Sequence, residues 1–339
     1  MDNIITFREN VEASKKYKEE YVNGIEKIIE EREKVLHIKR NEYFANIFQD
    51  QEKYRKDFKD MLGWPLTEKQ EHSIPEARTE RLSKDGLCSI YRISIKVLDN
   101  FYMTGLLFQK DDQKRPLVIA QHGGKGTPEL VGNLYGDTDN YNHMIERLLS
   151  YNVNVFAPQL LLWESSYQVK NNRDALDARL KRVGSSITAL EIYGITRLLD
   201  YFETQDYVGS FGMVGLSYGG FYTLFTAAVD TRIKAAISCS FFNSRKKYAW
   251  IDWTWFRAAQ MFSDAEIACL VYPRKLCIEV GINDELFDIE DAREEIKRLK
   301  EMGKEVQNEW VEFVEFEGVH EFCLDNAPLK RFVDSISLA

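Results

Sequence analysis

The sequence has few cysteines and no long apolar segment. Its 339 residues include five cysteines, an odd number with no C-x-x-C pair, so the chain has neither a disulfide framework nor the ligand spacing of a zinc site. No run of about 18 apolar residues occurs, and the opening stretch MDNIITFREN has no apolar core of signal-peptide length. These absences predict a cytoplasmic protein that does not bind a membrane.

Positive charge is also scarce relative to negative charge. The chain has 45 Lys and Arg residues against 54 Asp and Glu residues, which gives a net charge of −9. A general affinity for nucleic acid or for anionic membranes is therefore not expected. The length fits one large domain with an extra segment, or two small domains.

Residues 10–60 predict a charged, amphipathic helical segment. Apolar residues recur at steps of three or four, as on one face of a helix: Tyr17, Tyr21, Ile25, Ile28 and Ile29. Two interpretations are open, since this face either packs on the main body or forms a dimerisation arm that makes the protein a homo-oligomer. The stretch GWPLTE at 63–68 predicts the end of the helical region.

From about residue 86 the chain alternates between strand and helix patterns. CSIYRISIKV and FYMTGLLFQK predict a β-hairpin. Apolar runs such as RPLVIAQ then suit strands buried on both faces of a parallel sheet. We therefore predict an α/β protein with a mostly parallel central sheet and helices on both faces. The predicted division is a helical segment at 1–80 and an α/β domain at 81–339.

The stretch MVGLSYGGFYTLFTAAV contains the pattern G-x-S-x-G, formed by Gly215, Ser217 and Gly219. A strand pattern precedes it and a helix pattern follows it, as a nucleophile elbow requires. In such an elbow a sharp turn exposes the serine oxygen above the sheet. The alternative is that the small residues only let the helix lie close to the strand. The context favours Ser217 as a nucleophile.

A serine hydroxyl needs a general base that a third group orients. Of the five histidines, His320 alone follows Ser217, and it lies just beyond the last predicted strand. The acid is expected between them, after the strand LCIEV, where Asp284 lies in the turn. Glu285 and Asp288 are alternatives, although Asp288 is better placed to cap the next helix.

Two backbone amides are needed to stabilise the negative oxygen of an acyl-transfer intermediate. Tyr218, which follows the serine, supplies one. The loop QHGGKG follows an earlier strand, so Gly123 or Gly124 supplies the other. His122 precedes these glycines and shapes the loop more plausibly than it acts as the base, although it is also a candidate substrate-binding residue.

An aromatic cluster, YAWIDWTWF, lies between two predicted strands near this edge of the sheet. It forms either a small hydrophobic cap or a stacking wall for a sugar or acyl group. The candidate substrate-binding residues are therefore Trp250, Trp253 and Trp255. The stretch 161–186 is expected to border the same pocket.

In this order, QHGGKG, GLSYGG, GINDELFD and GVHEF resemble motifs of the α/β-hydrolase superfamily, in its dienelactone-hydrolase-like and acetyl-xylan-esterase-like branch. The resemblance covers residues 85–335. It implies an α/β-hydrolase fold and hydrolysis of a small-molecule ester through an acyl-serine intermediate, with no metal and no cofactor. Carried over by position, it makes Ser217, Asp284 and His320 the triad.

Dienelactone hydrolases proper use a cysteine nucleophile, so Ser217 argues against a dienelactone substrate. Secreted carbohydrate esterases usually carry a signal peptide, so an imported, acylated oligosaccharide is expected rather than extracellular xylan. Two other functions are open: a peptidase of the prolyl-oligopeptidase type, and a non-catalytic binding protein on a hydrolase scaffold. The region before residue 85 reads as helical, whereas those peptidases usually carry a β-propeller there. The presence of Ser217, Asp284 and His320 together argues against a binding protein.

Overall fold

The sheet at the centre of the fold is mixed. The computed structural model describes residues 8–68, 73–84, 86–134, 138–162, 172–248, 250–306 and 308–337. Within these residues the strands are β1 (Ala77–Lys84), β2 (Ser89–Leu98), β3 (Phe101–Gln109), β4 (Arg115–Gln121), β5 (Asn154–Pro158), β6 (Val208–Leu216), β7 (Ile233–Cys239), β8 (Lys275–Gly281) and β9 (Val311–Phe316). They form one sheet in the order β1-β2-β3-β5-β4-β6-β7-β8-β9.

Strands β1, β2, β3 and β5 pair antiparallel, and β5-β4-β6-β7-β8-β9 pair parallel. The predicted hairpin is confirmed as β2 and β3, joined by a tight turn. Strand β1 was not predicted. Half of its residues are charged, nearly all of them are exposed, and it lies at the edge of the sheet.

Helices connect the parallel strands and cover the sheet. In chain order they are α1 (Val11–Tyr43), α2 (Gln51–Leu62), α3 (Pro128–Val131), α4 (Met144–Leu149), α5 (Arg173–Lys181), α6 (Ile187–Phe202), α7 (Tyr218–Val229), α8 (Ala258–Met261), α9 (Asp264–Cys269), α10 (Ile289–Met302) and α11 (Asn326–Ser337). No helix of the described residues is both long enough and apolar enough to cross a lipid bilayer.

Two separate hydrophobic clusters show that both faces of the sheet are buried. Leu117 and Ile119 of β4 belong to one cluster, whereas Val118 and Ala120 of the same strand belong to the other. Successive side chains of a strand point to opposite faces, so the helices cover the sheet on both sides. This confirms the predicted architecture.

The helical segment before the sheet has two different parts. Helix α2 is part of the main core, where Phe58 packs against Phe225 of α7 with ring centroids 5.1 Å apart. In α1, by contrast, Tyr17 and Tyr21 are 66% and 72% exposed, and the predicted apolar face does not pack on the body of this chain. Its use as a dimerisation arm stays a prediction. The predicted division after residue 80 falls within β1 and also stays a prediction.

Candidate active site

Ser217 occupies a strained turn between β6 and α7. Its backbone has φ 61° and ψ −122°, a left-handed φ that is uncommon for a residue with a side chain. Its amide donates a 2.9 Å hydrogen bond to the carbonyl oxygen of Cys239 at the end of β7. Ser217 is partly exposed, whereas Leu216 and Tyr218 on either side are buried. The turn therefore presents this one side chain at the surface of the site.

The glycines around Ser217 are required by close backbone contacts. A Cβ on Gly219 would lie 2.1 Å from the carbonyl oxygen of Gln121, and one on Gly215 would lie 2.3 Å from the backbone of Gly219. Both distances are far inside van der Waals contact. The turn and the close packing of strand and helix thus need the same small residues, so the two readings of this motif are compatible.

The structure brings His320 and Asp284 together. The Nδ1 atom of His320 lies 2.9 Å from Oδ2 of Asp284. The other carboxylate oxygen of Asp284 accepts hydrogen bonds from the amides of Leu286 and Phe287, at 2.9 and 3.0 Å. The carboxylate is buried, while the His320 side chain is 23% exposed. With Nδ1 donating to Asp284, Nε2 is the proton acceptor of the ring.

The alternatives to Asp284 as the acid were Asp288 and Glu285. Asp288 caps helix α10 and accepts a 2.9 Å hydrogen bond from the amide of Glu290, as predicted. Glu285 is exposed. Of the three acids, Asp284 is therefore the one that the described contacts join to His320.

Cys239 links the turn that carries Ser217 to the loop that carries His320. Its carbonyl oxygen accepts the amide of Ser217, and its Sγ donates to the carbonyl oxygen of Glu321 at 3.3 Å. Strands β6, β7, β8 and β9 are parallel, so Ser217, Asp284 and His320 all follow carboxyl ends at one edge of the sheet. This is the edge at which open α/β sheets bind ligands.

The glycine loop after β4 runs beside Ser217. A Cβ on Gly123 would lie 3.2 Å from the Cβ of Ser217. The amide of Gly123 donates a 2.8 Å hydrogen bond to the hydroxyl of Tyr141, whereas the amide of Gly124 makes no hydrogen bond within the described residues. Of the two predicted donors, Gly124 is thus better placed to serve a substrate. The other predicted donor, the amide of Tyr218, opens helix α7, where N–H groups point out of the helix end.

His122 holds this glycine loop through hydrogen bonds of its ring. It is buried, with Nδ1 donating to the carbonyl oxygen of Gly123 at 2.9 Å and Nε2 accepting the amide of Leu160 at 3.1 Å. Burial lowers the pKa of His122 to about 4, so the ring is neutral at pH 7. Because both ring nitrogens are already used, the arrangement favours support of the loop over contact with a substrate.

The three tryptophans differ in exposure. Trp253 and Trp255 are 3% and 6% exposed and belong to the main core, which favours a hydrophobic cap for these two. Trp250 is partly exposed, and its ring stacks on that of Tyr218 with centroids 5.7 Å apart and an interplanar angle of 6°. It alone suits the predicted stacking wall. Of the predicted border 161–186, residues 163–171 lie outside the described residues.

Three polar side chains that the sequence analysis did not identify hold the loop of His320 through hydrogen bonds. The side-chain amide of Asn140 donates to the carbonyl oxygen of His320 at 2.9 Å, and that of Asn142 donates to Phe322 at 2.7 Å. Arg147 donates to the carbonyl oxygen of Cys323 at 2.8 Å. The stretch DNYNH before α4 was the available signal, because aspartate, asparagine and histidine are enriched in the left-handed conformation that Asp139, Asn142 and His143 adopt.

In the part of the chain that the structure describes, no three His, Cys, Asp or Glu residues converge as a metal site would require. The side chains that this arrangement offers for chemistry are a serine hydroxyl, an imidazole and a carboxylate, those of Ser217, His320 and Asp284.

Comparison with known proteins places the fold. No family model matches the sequence, and no curated protein matches it. Among solved structures, a glucuronoyl esterase from Solibacter usitatus has a TM-score of 0.62 at 13% identity, covering 85% of this chain and 92% of that one. An acetyl xylan esterase assigned in Bacteroides fragilis gives 0.59 at 13% identity, covering 86% and 83%.

A promiscuous CE15 esterase from a marine bacterial metagenome gives a TM-score of 0.63 at 15% identity, covering 86% of this chain and 93% of that one. Likeness at such identities concerns the fold. Together with the strand order, it shows that this chain has the α/β-hydrolase fold.

Proposed function

We propose that this protein is a serine ester hydrolase that acts on small or carbohydrate esters through an acyl-serine intermediate. The observation that carries the proposal is the backbone of Ser217, held at φ 61° at the sheet edge where the His320–Asp284 pair also lies. Strain of this kind persists where the surrounding structure enforces it, typically at functional sites. A serine used only for packing has no need of it.

In the proposed reaction, the hydroxyl oxygen of Ser217 attacks the ester carbonyl carbon while Nε2 of His320 accepts the hydroxyl proton. The amides of Tyr218 and Gly124 stabilise the negative carbonyl oxygen. The bond to the alcohol then breaks, and His320 gives its proton to the leaving oxygen. Water attacks the acyl-serine in the same way and releases the acid. Asp284 keeps the proton on Nδ1 and stabilises the imidazolium.

A carbohydrate ester is the preferred substrate class. Proteins of similar fold are named glucuronoyl esterase and acetyl xylan esterase, and this chain places the partly exposed ring of Trp250 against Tyr218, next to the nucleophile. A flat aromatic ring at that position suits the apolar face of a sugar. We therefore propose an acylated sugar, with an acetyl group as the first candidate for the acyl part.

The test compares Ser217→Ala with the wild-type protein on p-nitrophenyl acetate and on a set of acetylated sugars. We expect the alanine variant to lose at least about 10³-fold in kcat, because the nucleophile is gone. The matched control is Ser335→Ala, a partly exposed serine of α11, which should keep full activity. A fluorophosphonate probe should label the wild type and not Ser217→Ala.

Near-normal hydrolysis by Ser217→Ala would overturn the mechanism. An enzyme that hydrolyses simple acyl esters but none of the acetylated sugars would overturn the proposed carbohydrate substrate. The proposed mechanism would still hold. Faster cleavage of a peptide amide than of either ester would point to the peptidase alternative.

We also propose a cytoplasmic location. The five cysteines are all buried and form no disulfide with one another, which suits a reducing compartment. Cell fractionation should recover the protein with cytoplasmic markers, and recovery from the culture medium would contradict the proposal.

A further inference from the structure

The side chain of Tyr218 is tied to the segment that covers it. Its phenol hydroxyl donates to the carboxylate of Asp252, with oxygen–oxygen distances of 3.0 Å to Oδ2 and 3.2 Å to Oδ1. Asp252 lies in a short 3-10 helix, Ile251–Trp253, inside the aromatic cluster. Both residues are almost completely buried. Burial and the neighbouring Asp252 hold the pKa of Tyr218 above its usual range, so the phenol is a proton donor at neutral pH.

Arg173 holds Asp252 in turn. Its Nε donates to Oδ2 of Asp252 at 2.7 Å, its Nη1 donates to Glu191 at 3.0 Å, and its Nη2 donates to the hydroxyl of Tyr222 at 2.6 Å. The guanidinium is buried, and the hydroxyl of Tyr222 also donates to Glu191. The cluster thus fixes Asp252 through Oδ2, the carboxylate oxygen that the hydroxyl of Tyr218 also contacts.

The same cluster reaches the glycine loop on the other side of the site. Glu191 accepts the amide of Leu161 at 2.8 Å, and the preceding amide, that of Leu160, donates to His122 at 3.1 Å. His122 in turn donates to the carbonyl oxygen of Gly123. One buried group of side chains is therefore connected to both backbone segments that would stabilise the negative oxygen of the reaction.

Stability alone is a poor reason for such a cluster. Buried ion pairs are often no more stabilising than apolar residues of the same size, because removing the charges from water is costly. Placement of an amide, in contrast, affects rate steeply, since a misplacement on the order of 1 Å can cost about 10²-fold. A hydrogen-bonded cluster that fixes Tyr218 on its buried side gives its amide one defined position.

We propose that Asp252, held by Arg173, is a positioning residue that acts through the hydroxyl of Tyr218 to fix the amide of Tyr218 toward the developing negative oxygen. The inference rests on the proposed function.

The test is Tyr218→Phe, which keeps the ring against Trp250 and the backbone amide but removes the hydroxyl. We expect kcat on p-nitrophenyl acetate to fall about tenfold with KM within about twofold, because the amide is needed most in the transition state. The affinity for a boronic acid, which forms a tetrahedral adduct with the serine, should fall by a similar factor. All rates are divided by the fraction of enzyme that a fluorophosphonate labels, so that a smaller folded fraction does not lower the kcat of a variant.

Tyr54→Phe is the matched control. Tyr54 is equally buried, and its hydroxyl donates to the carbonyl oxygen of Tyr43 at 2.7 Å. It should lose stability as Tyr218→Phe does, without the change in kcat. A Tyr218→Phe enzyme with kcat and boronic acid affinity within twofold of wild type would overturn the proposal, and so would an equal loss of kcat in Tyr54→Phe.

Asp252→Asn tests the residue that accepts the hydrogen bond of the Tyr218 hydroxyl. It takes the place of Tyr218→Phe if that variant fails to fold. If Asp252 acts through the hydroxyl, the double variant should lose no more kcat than the more affected single variant. If the loss of kcat in the double variant equals the product of the two single-variant losses, Asp252 does not act through the hydroxyl of Tyr218, and the proposal is overturned. Failure of the proposed function is distinct, because Ser217→Ala would then keep its activity whatever these variants do.

Discussion

The Nδ1 atom of His320 lies 2.9 Å from Oδ2 of Asp284, and the second oxygen of Asp284 is held by two backbone amides. The carboxylate therefore fixes both the orientation and the tautomer of the imidazole. Asp284→Asn keeps the shape but presents no negative charge to Nδ1–H. We expect kcat for ester hydrolysis to fall about 10³–10⁴-fold, with KM little changed. Steady-state kinetics on p-nitrophenyl acetate measures this.

Asp288→Asn is the control for that prediction. Asp288 lies four residues further along and caps helix α10, a role that asparagine fills equally well. Its activity and stability should match those of the wild type. Equal losses in both variants would mean that the turn, and not the Asp284–His320 hydrogen bond, determines the rate.

Gly219 tests the geometry of the turn. A Cβ at this position would lie 2.1 Å from the carbonyl oxygen of Gln121, so Gly219→Ala must push α7 away from β4. We expect the free energy of unfolding to fall by about 1–3 kcal/mol or more. Labelling of Ser217 by a fluorophosphonate should slow as well, because the elbow moves. Chemical denaturation and labelling rates measure the two effects.

Gly24→Ala is the matched control, since no atom lies within 4 Å of a Cβ at that position of helix α1. Alanine is favoured over glycine in a helix, so this variant should be at least as stable as the wild type and fully active. A Gly219→Ala protein as stable as Gly24→Ala would contradict the close contact.

The features predicted from the sequence were those with a local signal. Strands such as β4 and β6 are continuous apolar runs, and the order of Ser217, Asp284 and His320 follows from where each lies relative to a strand end. Strand β1 was missed because the stretch ARTERLSK has neither an apolar run nor alternation. It is a strand because it completes a hydrogen-bonded edge with β2, which is not a property of its own residues.

The residues that hold the site in place could not be predicted in the same way. Arg147 donates to the carbonyl oxygen of Cys323, 176 residues away, and Arg173 to Asp252, 79 residues away. An arginine or aspartate of that kind looks like a surface charge until the fold buries it. Likewise, the sequence could not show that Trp253 is buried while Trp250 is partly exposed. The exposure of these nearby tryptophans depends on the orientation that the short 3-10 helix gives each side chain.

The exposed face of α1 predicts association of two chains. Tyr21 and Ile28 are 72% and 60% exposed on a helix of 33 residues, and isolated helices are marginal in water without packing of the apolar face. We expect light scattering to give about twice the mass of the 39.6 kDa chain. Replacing both residues with glutamate should yield the single-chain mass without loss of esterase activity.

Val183→Glu is the control, because this valine is more exposed than Tyr21 or Ile28 but lies beyond helix α5. It should leave the mass unchanged. A wild-type protein that has the single-chain mass at every concentration measured would refute the dimerisation arm.

Glu279 gives stability a pH dependence opposite to that of a salt-bridged carboxylate. It is buried on β8, beside Cys239 of β7, and burial raises its pKa to about 8. Arg147 opposes the rise, and Glu312 and Asp325 add to it. Between the unfolded-state pKa of about 4.3 and about 8 the folded protein keeps a proton that the unfolded chain has lost. The free energy of unfolding therefore contains a contribution that is complete below this window and is lost as the pH rises through it.

Glu279→Gln removes that proton and with it the pH-dependent contribution. The variant's stability relative to the wild type should rise between pH 5 and pH 8.5, by an amount on the order of 3–4 kcal/mol. Urea denaturation at several pH values measures the difference, and Glu317→Gln, at an exposed position beyond β9, should show none. A constant difference between Glu279→Gln and the wild type across this range would mean that Glu279 is already ionised in the folded protein, with Arg147 compensating its charge.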